Sequence, residues 1–283
     1  MKKLLLKVLP LALVGCMACN KEELNKPAPV PALTQISTTD DRAILISIAD
    51  KYKGNGNNQS TLRVPTWWVA VIADGGGAWT GAEIGSLLPG WGTAIGACIG
   101  GVAASAAYCY GGVMVPNDND DDNKKDVYAN NTSNAFDAVG RIHNSVLSEV
   151  MLNEDMFLST NGIDTLELFN LIKNLTVQKA NVVYNLTLTV DSINFLYDDF
   201  VFMIKNGINI AETSTTNSQN ADARFIIDLY KTTSETITDK AIILEFTIAM
   251  ETAIAKSIVF SQGTKDASLC FLTTSRNSYM FWF

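Results

Sequence analysis

The sequence predicts an all-α protein: a glycine-zipper helical hairpin followed by a C-terminal bundle of five or six helices. Three observations predict it. Beyond Asn131, apolar residues recur at 3–4 spacing, as in Phe136, Val139, Ile142, Val146 and Val150, and again in Ile163, Leu166, Phe169, Ile172 and Leu175. Upstream, Gly77, Gly81 and Gly85 repeat every four residues, and Gly92, Gly96 and Gly100 do the same. Between the two series stands Pro89-Gly90, a strong turn signal, and no charge occurs between Glu83 and Asp118.

Composition narrows the function. Of 283 residues, 47% are hydrophobic and only 18% charged, with 29 acidic against 21 basic. The net charge of -8 excludes the basic stripe of a nucleic-acid binder, so no nucleic-acid partner is expected. One histidine and five scattered cysteines supply neither a zinc set nor a disulfide scaffold. No catalytic residue, metal site or cofactor is expected.

Residues 1–15 form the first element. Lys2, Lys3 and Lys7 make a basic start, and an apolar stretch ending in Gly15 follows, which reads as a signal peptide. Leu13-Val14-Gly15-Cys16 resembles the bacterial lipoprotein signal motif, and that resemblance implies cleavage before Cys16 and diacylation of its sulfur. Cys19 competes: its upstream match is poorer. Its downstream neighbours, Asn20-Lys21-Glu22-Glu23, resemble the Lys-plus-acidic tag of surface-exposed lipoproteins of the Bacteroidetes group. Either cysteine as lipid carrier implies a cell-envelope, outer-membrane protein. Cleavage takes three from the 21 basic residues, leaving 18 against 29 acidic and a net charge of -11. Membrane lipid, if it is a partner, is then engaged through acyl chains and apolar surface rather than charge.

Residues 16–63 read as a lipid-anchored tether with a short helix. Pro27, Pro29 and Pro31 favour extended backbone. Asp40 or Asp41 caps a helix through Tyr52, with Ile44, Leu45, Ile48 and Ala49 as its apolar side, and 53–60 is a loop.

Residues 64–116 are the hairpin, with arms over about 67–88 and 92–115. A glycine costs a helix roughly 1 kcal/mol relative to alanine. Six in register are intelligible where a second backbone approaches along the groove, either the other arm or another copy of the chain, so self-association through the zipper is expected as an option. Ala103 lies away from that groove and should tolerate enlargement. Each arm is about 30 Å long at 1.5 Å per residue, matching a hydrocarbon core. Trp67, Trp68 and Trp91 read as membrane-interface anchors. Asp74 on the zipper face and Glu83 on nearly the opposite face argue against simple insertion, because a mid-helix carboxylate costs roughly 2.5–3.5 kcal/mol. Burial of the glycine-packed pair in a soluble domain is the competing reading.

Residues 117–130 are an acidic linker. Asp118, Asp120 and Asp122 start like a calcium loop, but Asn123 and Ala129 stand where glycine and glutamate belong, which favours a solvated segment. The bundle domain, 131–283, continues with helical runs over about 177–206, 219–237, 239–261 and 265–282, with a short strand as an alternative within 182–190. His143 lacks a nucleophile motif beside it and reads as structural, with Asn144 as hydrogen-bond partner. Cys98 and Cys109 are about 16 Å apart along one helix, too far to pair, and Cys270 is isolated. Asp164-Thr165-Leu166 and Asp191-Ser192-Ile193 resemble the O-glycosylation triplet of Bacteroidetes exported proteins.

The zipper stretch resembles the glycine-zipper segments of small outer-membrane lipoproteins and of two-peptide bacteriocins. It is also similar to glycine-zipper proteins of Bacteroidetes type, in which segments like 136–144 and 275–282 follow. This implies a non-enzymatic, lipid-anchored envelope protein whose hairpin inserts into or packs at a membrane. A bacteriocin-like toxin, or an interaction module of an envelope assembly, are the alternatives.

Overall fold

A computed structural model describes residues 39–53, 66–88, 91–110, 129–206 and 221–282. These form nine α-helices: α1 (Thr39–Tyr52), α2 (Thr66–Gly85), α3 (Gly92–Tyr110), α4 (Asp137–Leu152), α5 (Thr165–Tyr184), α6 (Tyr197–Asn206), α7 (Ala221–Ser234), α8 (Lys240–Lys256) and α9 (Gln262–Trp282). A two-residue antiparallel pair, β1 (Leu158–Ser159) with β2 (Gly162–Ile163), is the one sheet among the described residues. The fold is all-α, and among the described residues six helices follow Asn131. The signal, Cys16, Cys19, the proline-rich part of the tether and the Asp118–Asp120–Asp122 run lie outside the described residues.

Residues Thr38–Phe283 form one compact unit. The sequence reading sets the hairpin and the bundle in succession; the structure instead places the hairpin at the centre of the bundle. Every residue of α3 from Gly92 to Cys109 is buried. Helix α9 runs against α2 and α4, α4, α5 and α6 cover α3, and α1 lies on α7 and α8. The reason is the apolar composition of α3 on all sides and of α2 apart from Asp74 and, at the tip, Glu83. An amphipathic helix needs one covered face, but a helix hydrophobic all round must be enclosed. Ala103 is therefore fully buried, and the expected tolerance at that position is corrected. Glu83, Ser86 and Leu87, at the tip, reach solvent.

Local chemistry sets the helix starts and stops. Asp164 accepts from the backbone N–H groups of Leu166 and Glu167, and Asp239 from those of Ala241 and Ile242, so each N-caps its helix. The expected continuous run over 177–206 is corrected: α5 stops at Tyr184. Asn185 adopts the left-handed conformation at φ 52°, and Asn181 binds both N–H and C=O of Leu188 through its side-chain amide. This satisfies the backbone outside helix or strand, and a 3-10 stretch (Val190–Leu196) leads into α6. No strand forms in 182–190. At the periphery, Arg42 donates twice to Asp222, and Asp41 accepts from Ser257 Oγ and the Val259 N–H, clasping α1 to α7 and to the end of α8.

Candidate functional site

The zipper glycines meet each other in pairs. A Cβ placed on Gly77 would fall on the carbonyl of Gly100, on Gly81 on that of Gly96, and on Gly85 on that of Gly92, and the reverse holds for each partner. The zipper groove is thus filled by the chain's own second arm, and it is closed to another copy in this conformation. Two of the three tryptophans also have partners within the chain. Trp68 is buried and donates its indole N–H to Ser234 Oγ at 3.2 Å. Trp91 stacks on Tyr184 with ring centres 4.1 Å apart. For Trp67 only the backbone, inside α2, is described. In this conformation Trp68 and the partly buried Trp91 place aromatic area between the two ends of the hairpin and the bundle.

Other glycines serve a second set of approaches. A Cβ on Gly75 would meet Ser275 and Phe271 of α9, one on Gly140 would strike the Thr273 carbonyl, and one on Gly101 would press on the His143 ring. Helices α2, α3, α4 and α9 therefore close on one another tightly, and polar side chains fill the space where they converge.

The most unusual element is α9. Thr273, Thr274, Ser275, Arg276, Asn277 and Ser278 are consecutive, and all six are buried. A buried polar group costs free energy unless it is hydrogen-bonded, so this segment is intelligible only with partners opposite. Two clusters supply them for Thr273, Arg276 and Ser278, whereas Thr274 Oγ1, Ser275 Oγ, Arg276 Nη1 and Asn277 Oδ1 have no hydrogen-bond partner among the described residues.

The first centres on Asp74 of α2, which is fully buried. Its Oδ1 lies 2.5 Å from Ser105 Oγ of α3. Its Oδ2 accepts from the Ser278 hydroxyl and from the Trp282 indole N–H, the latter at 2.9 Å. Ser105 Oγ is also 3.2 Å from His143 Nε2. His143 Nδ1 is 3.0 Å from Asn144 Oδ1, and the Asn144 amide donates to the Asn277 carbonyl at 2.8 Å. Burial raises the Asp74 carboxyl above the ordinary carboxylate range; the nearby His143 and the hydrogen bonds from Ser105, Ser278 and Trp282 oppose that rise.

The second centres on Arg276, also fully buried. Its guanidinium reaches Asp137 Oδ1 at 2.6 Å and Glu251 Oε1 at 3.2 Å. Asn131 donates from its side chain to Glu251 Oε2 at 2.6 Å and from its backbone to Asp137 at 2.8 Å. Burial raises the Glu251 carboxyl, while Arg276 and Asn131 pull it back down. This joins α4, α8 and α9 to the segment preceding α4.

Ser105, His143 and Asn144 are aligned like a nucleophile, base and orienting amide, yet the arrangement does not present a nucleophile. Both Ser105 and His143 are fully enclosed, and Asp74 engages the same hydroxyl. The thiols are equally sheltered: burial pushes Cys109 up to about 12, with Asp74 adding to the rise, and pushes Cys98 and Cys270 well above the usual range. No group of three or more metal-ligating side chains occurs among the described residues. The candidate glycosylation triplets lie at helix starts. Ser192 is exposed, its hydroxyl donating to the Thr189 carbonyl, and Thr165 Oγ1 is 3.4 Å from Tyr197 OH.

Sequence reasoning singled out His143, Asp74 and the two segments 136–144 and 275–282, but it did not join them. Ser105, Asp137, Glu251, Arg276 and Ser278 were missed as partners. The available signal was the unbroken polar run 273–278 in a helix with apolar residues on either side of it. Compared with known proteins, the chain matches no family model, no curated protein and no solved structure.

Proposed function

We propose that the chain is a non-enzymatic, lipid-anchored envelope protein whose glycine-zipper hairpin serves as the apolar core of its helical domain and as the part able to meet a membrane. One observation supports this reading above others. The hairpin's first arm carries two carboxylates, Asp74 and Glu83, but its second arm carries no charge and is, among the described residues, the one helix long and apolar enough to cross a bilayer. In the folded domain that arm is enclosed, so on this reading the hairpin meets a membrane only if the helices around it part. The Ser–His alignment is fully buried, which favours a structural over an enzymatic role.

The test is fractionation of native cells with protease shaving. Recovery in the outer-membrane fraction, and loss of that recovery when both Cys16 and Cys19 are replaced by serine, is the expected result. Recovery as a free soluble protein with both cysteines intact would sink the reading.

Enclosure of the hairpin also favours a second reading, the bacteriocin-like toxin. A protein that travels in water and then enters a target membrane has to hide an apolar hairpin until it arrives. In that case the protein should release a dye trapped in phospholipid vesicles. Absence of release from the wild-type protein would remove this alternative.

A further inference from the structure

We propose that Asp74 is held as a neutral carboxylic acid at the head of a directed hydrogen-bond chain, and that this chain is a latch fastening the hairpin to α4 and α9. The chain runs from Asp74 through Ser105, His143 and Asn144 to the Asn277 carbonyl.

The direction can be read from which atoms have to donate. The Asn144 amide nitrogen donates to the Asn277 carbonyl, which leaves Asn144 Oδ1 facing His143 Nδ1. An amide oxygen only accepts, so Nδ1 carries a hydrogen. At the other end, the indole of Trp282 only donates, and together with the Ser278 hydroxyl it supplies two hydrogens to Asp74 Oδ2. Among the described residues Oδ1 has Ser105 alone. The two carboxyl oxygens are thus unequal: Oδ2 has the surroundings of a carbonyl, and Oδ1 those of a hydroxyl. With the proton on Oδ1, Asp74 donates to Ser105, Ser105 donates to His143 Nε2, and Nδ1–H donates to Asn144. Every donor has one acceptor, and no net charge is buried.

The alternative places the proton on the ring, so that carboxylate and imidazolium face each other across Ser105. That also satisfies each hydrogen bond, but it buries two separated charges in a fully enclosed site, where desolvation is severe. The groups around Asp74 do little to offset that cost. From α4 there is His143; from α3 there are Tyr108 and Cys109, whose own ionisation Asp74 opposes; and α9 contributes the neutral Ser278 and Trp282. Burial lifts the Asp74 carboxyl, in keeping with the neutral form.

A neutral acid makes the latch sensitive to pH in a definite direction. In the unfolded chain an aspartate loses its proton near pH 4. In the folded chain Asp74 keeps it to higher pH. Its stabilising contribution is therefore complete below about pH 4 and is lost as pH rises through the folded value. This latch is independent of whether the hairpin ever meets a membrane.

The chain's single histidine allows a direct test. Imidazole nitrogen NMR of the full-length protein at neutral pH should show one ring, with hydrogen on Nδ1 and none on Nε2. A hydrogen on Nε2, in either the other tautomer or the imidazolium, overturns the proposal. Melting curves against pH give a second readout. Asp74→Asn retains a donor toward Ser105 and an acceptor for Ser278 and Trp282 but has no proton to lose. It should melt within about 2–4 °C of wild type near pH 6, and its stability should fall less than that of wild type as pH rises, the remaining fall coming from other raised carboxyls such as Glu251. Asp74→Ala should melt well below both at every pH. An Asp74→Asn protein as unstable as Asp74→Ala, or one whose pH profile parallels wild type, overturns the latch.

Discussion

Gly81 and Gly96 face each other across α2 and α3 with no side chain between them: a Cβ on either would fall on the carbonyl oxygen of the other. The contact is backbone on backbone, and it recurs one turn away in each direction, at Gly77 with Gly100 and at Gly85 with Gly92. Glycine's poor helix propensity is tolerated because the alternative is collision.

Two effects of opposite sign follow for Gly96→Ala. Propensity favours alanine by roughly 1 kcal/mol, whereas overpacking costs about 1–3 kcal/mol and more where rigid backbone must move. Gly96→Ala should lower the melting temperature, and Gly96→Leu should lower it further. Gly263 in α9, where a Cβ meets nothing within 4 Å, is the control, and Gly263→Ala should be neutral or stabilising. Equal melting temperatures for Gly96→Leu and wild type would mean that the arms do not need to touch.

Arg276 carries the second prediction. Arg276→Met leaves Glu251 buried and Asp137 without their cation, and loss of one partner of a buried pair typically costs about 3–5 kcal/mol. Adding Glu251→Leu should recover part of that loss in denaturant titrations, because the stranded charge goes with it. A single variant with unchanged stability would contradict the buried triad.

The hairpin's central position gives a third. A fragment of residues 126–283 retains all six amphipathic helices but lacks the surface on which α9 and α4 pack. It should show helix by circular dichroism yet melt without a cooperative transition. A sharp, two-state melt of this fragment would show that the bundle does not need the hairpin.

Lipidation is the fourth. Metabolic palmitate labelling should persist in one of the single variants Cys16→Ser and Cys19→Ser and vanish in the double variant. Label retained by the double variant would place the lipid elsewhere or remove it from the account.

The sequence by itself determined that the chain is helical, where its hairpin turns, and which six glycines line one groove. Those features depend on local spacing, with apolar periods of 3–4 residues and glycines every four; the Pro89-Gly90 turn signal itself lies outside the described residues. It also marked the segments 136–144 and 275–282 as distinctive, without saying why. The break after Tyr184 was harder to read, because it rests on Asn181 and Asn185 satisfying backbone groups that a helix would otherwise take up.

Tertiary structure alone decided what surrounds the hairpin. An apolar helix of about 20 residues has the same composition whether lipid or protein covers it, so spacing could not choose between a membrane and a bundle interior. Nor could it pair Asp74 with Ser278, 204 residues away, or Asp137 with Arg276, 139 residues away. Those meetings depend on Gly75, Gly101 and Gly140 allowing four helices to converge, so that polar side chains too costly to bury singly are buried as partners.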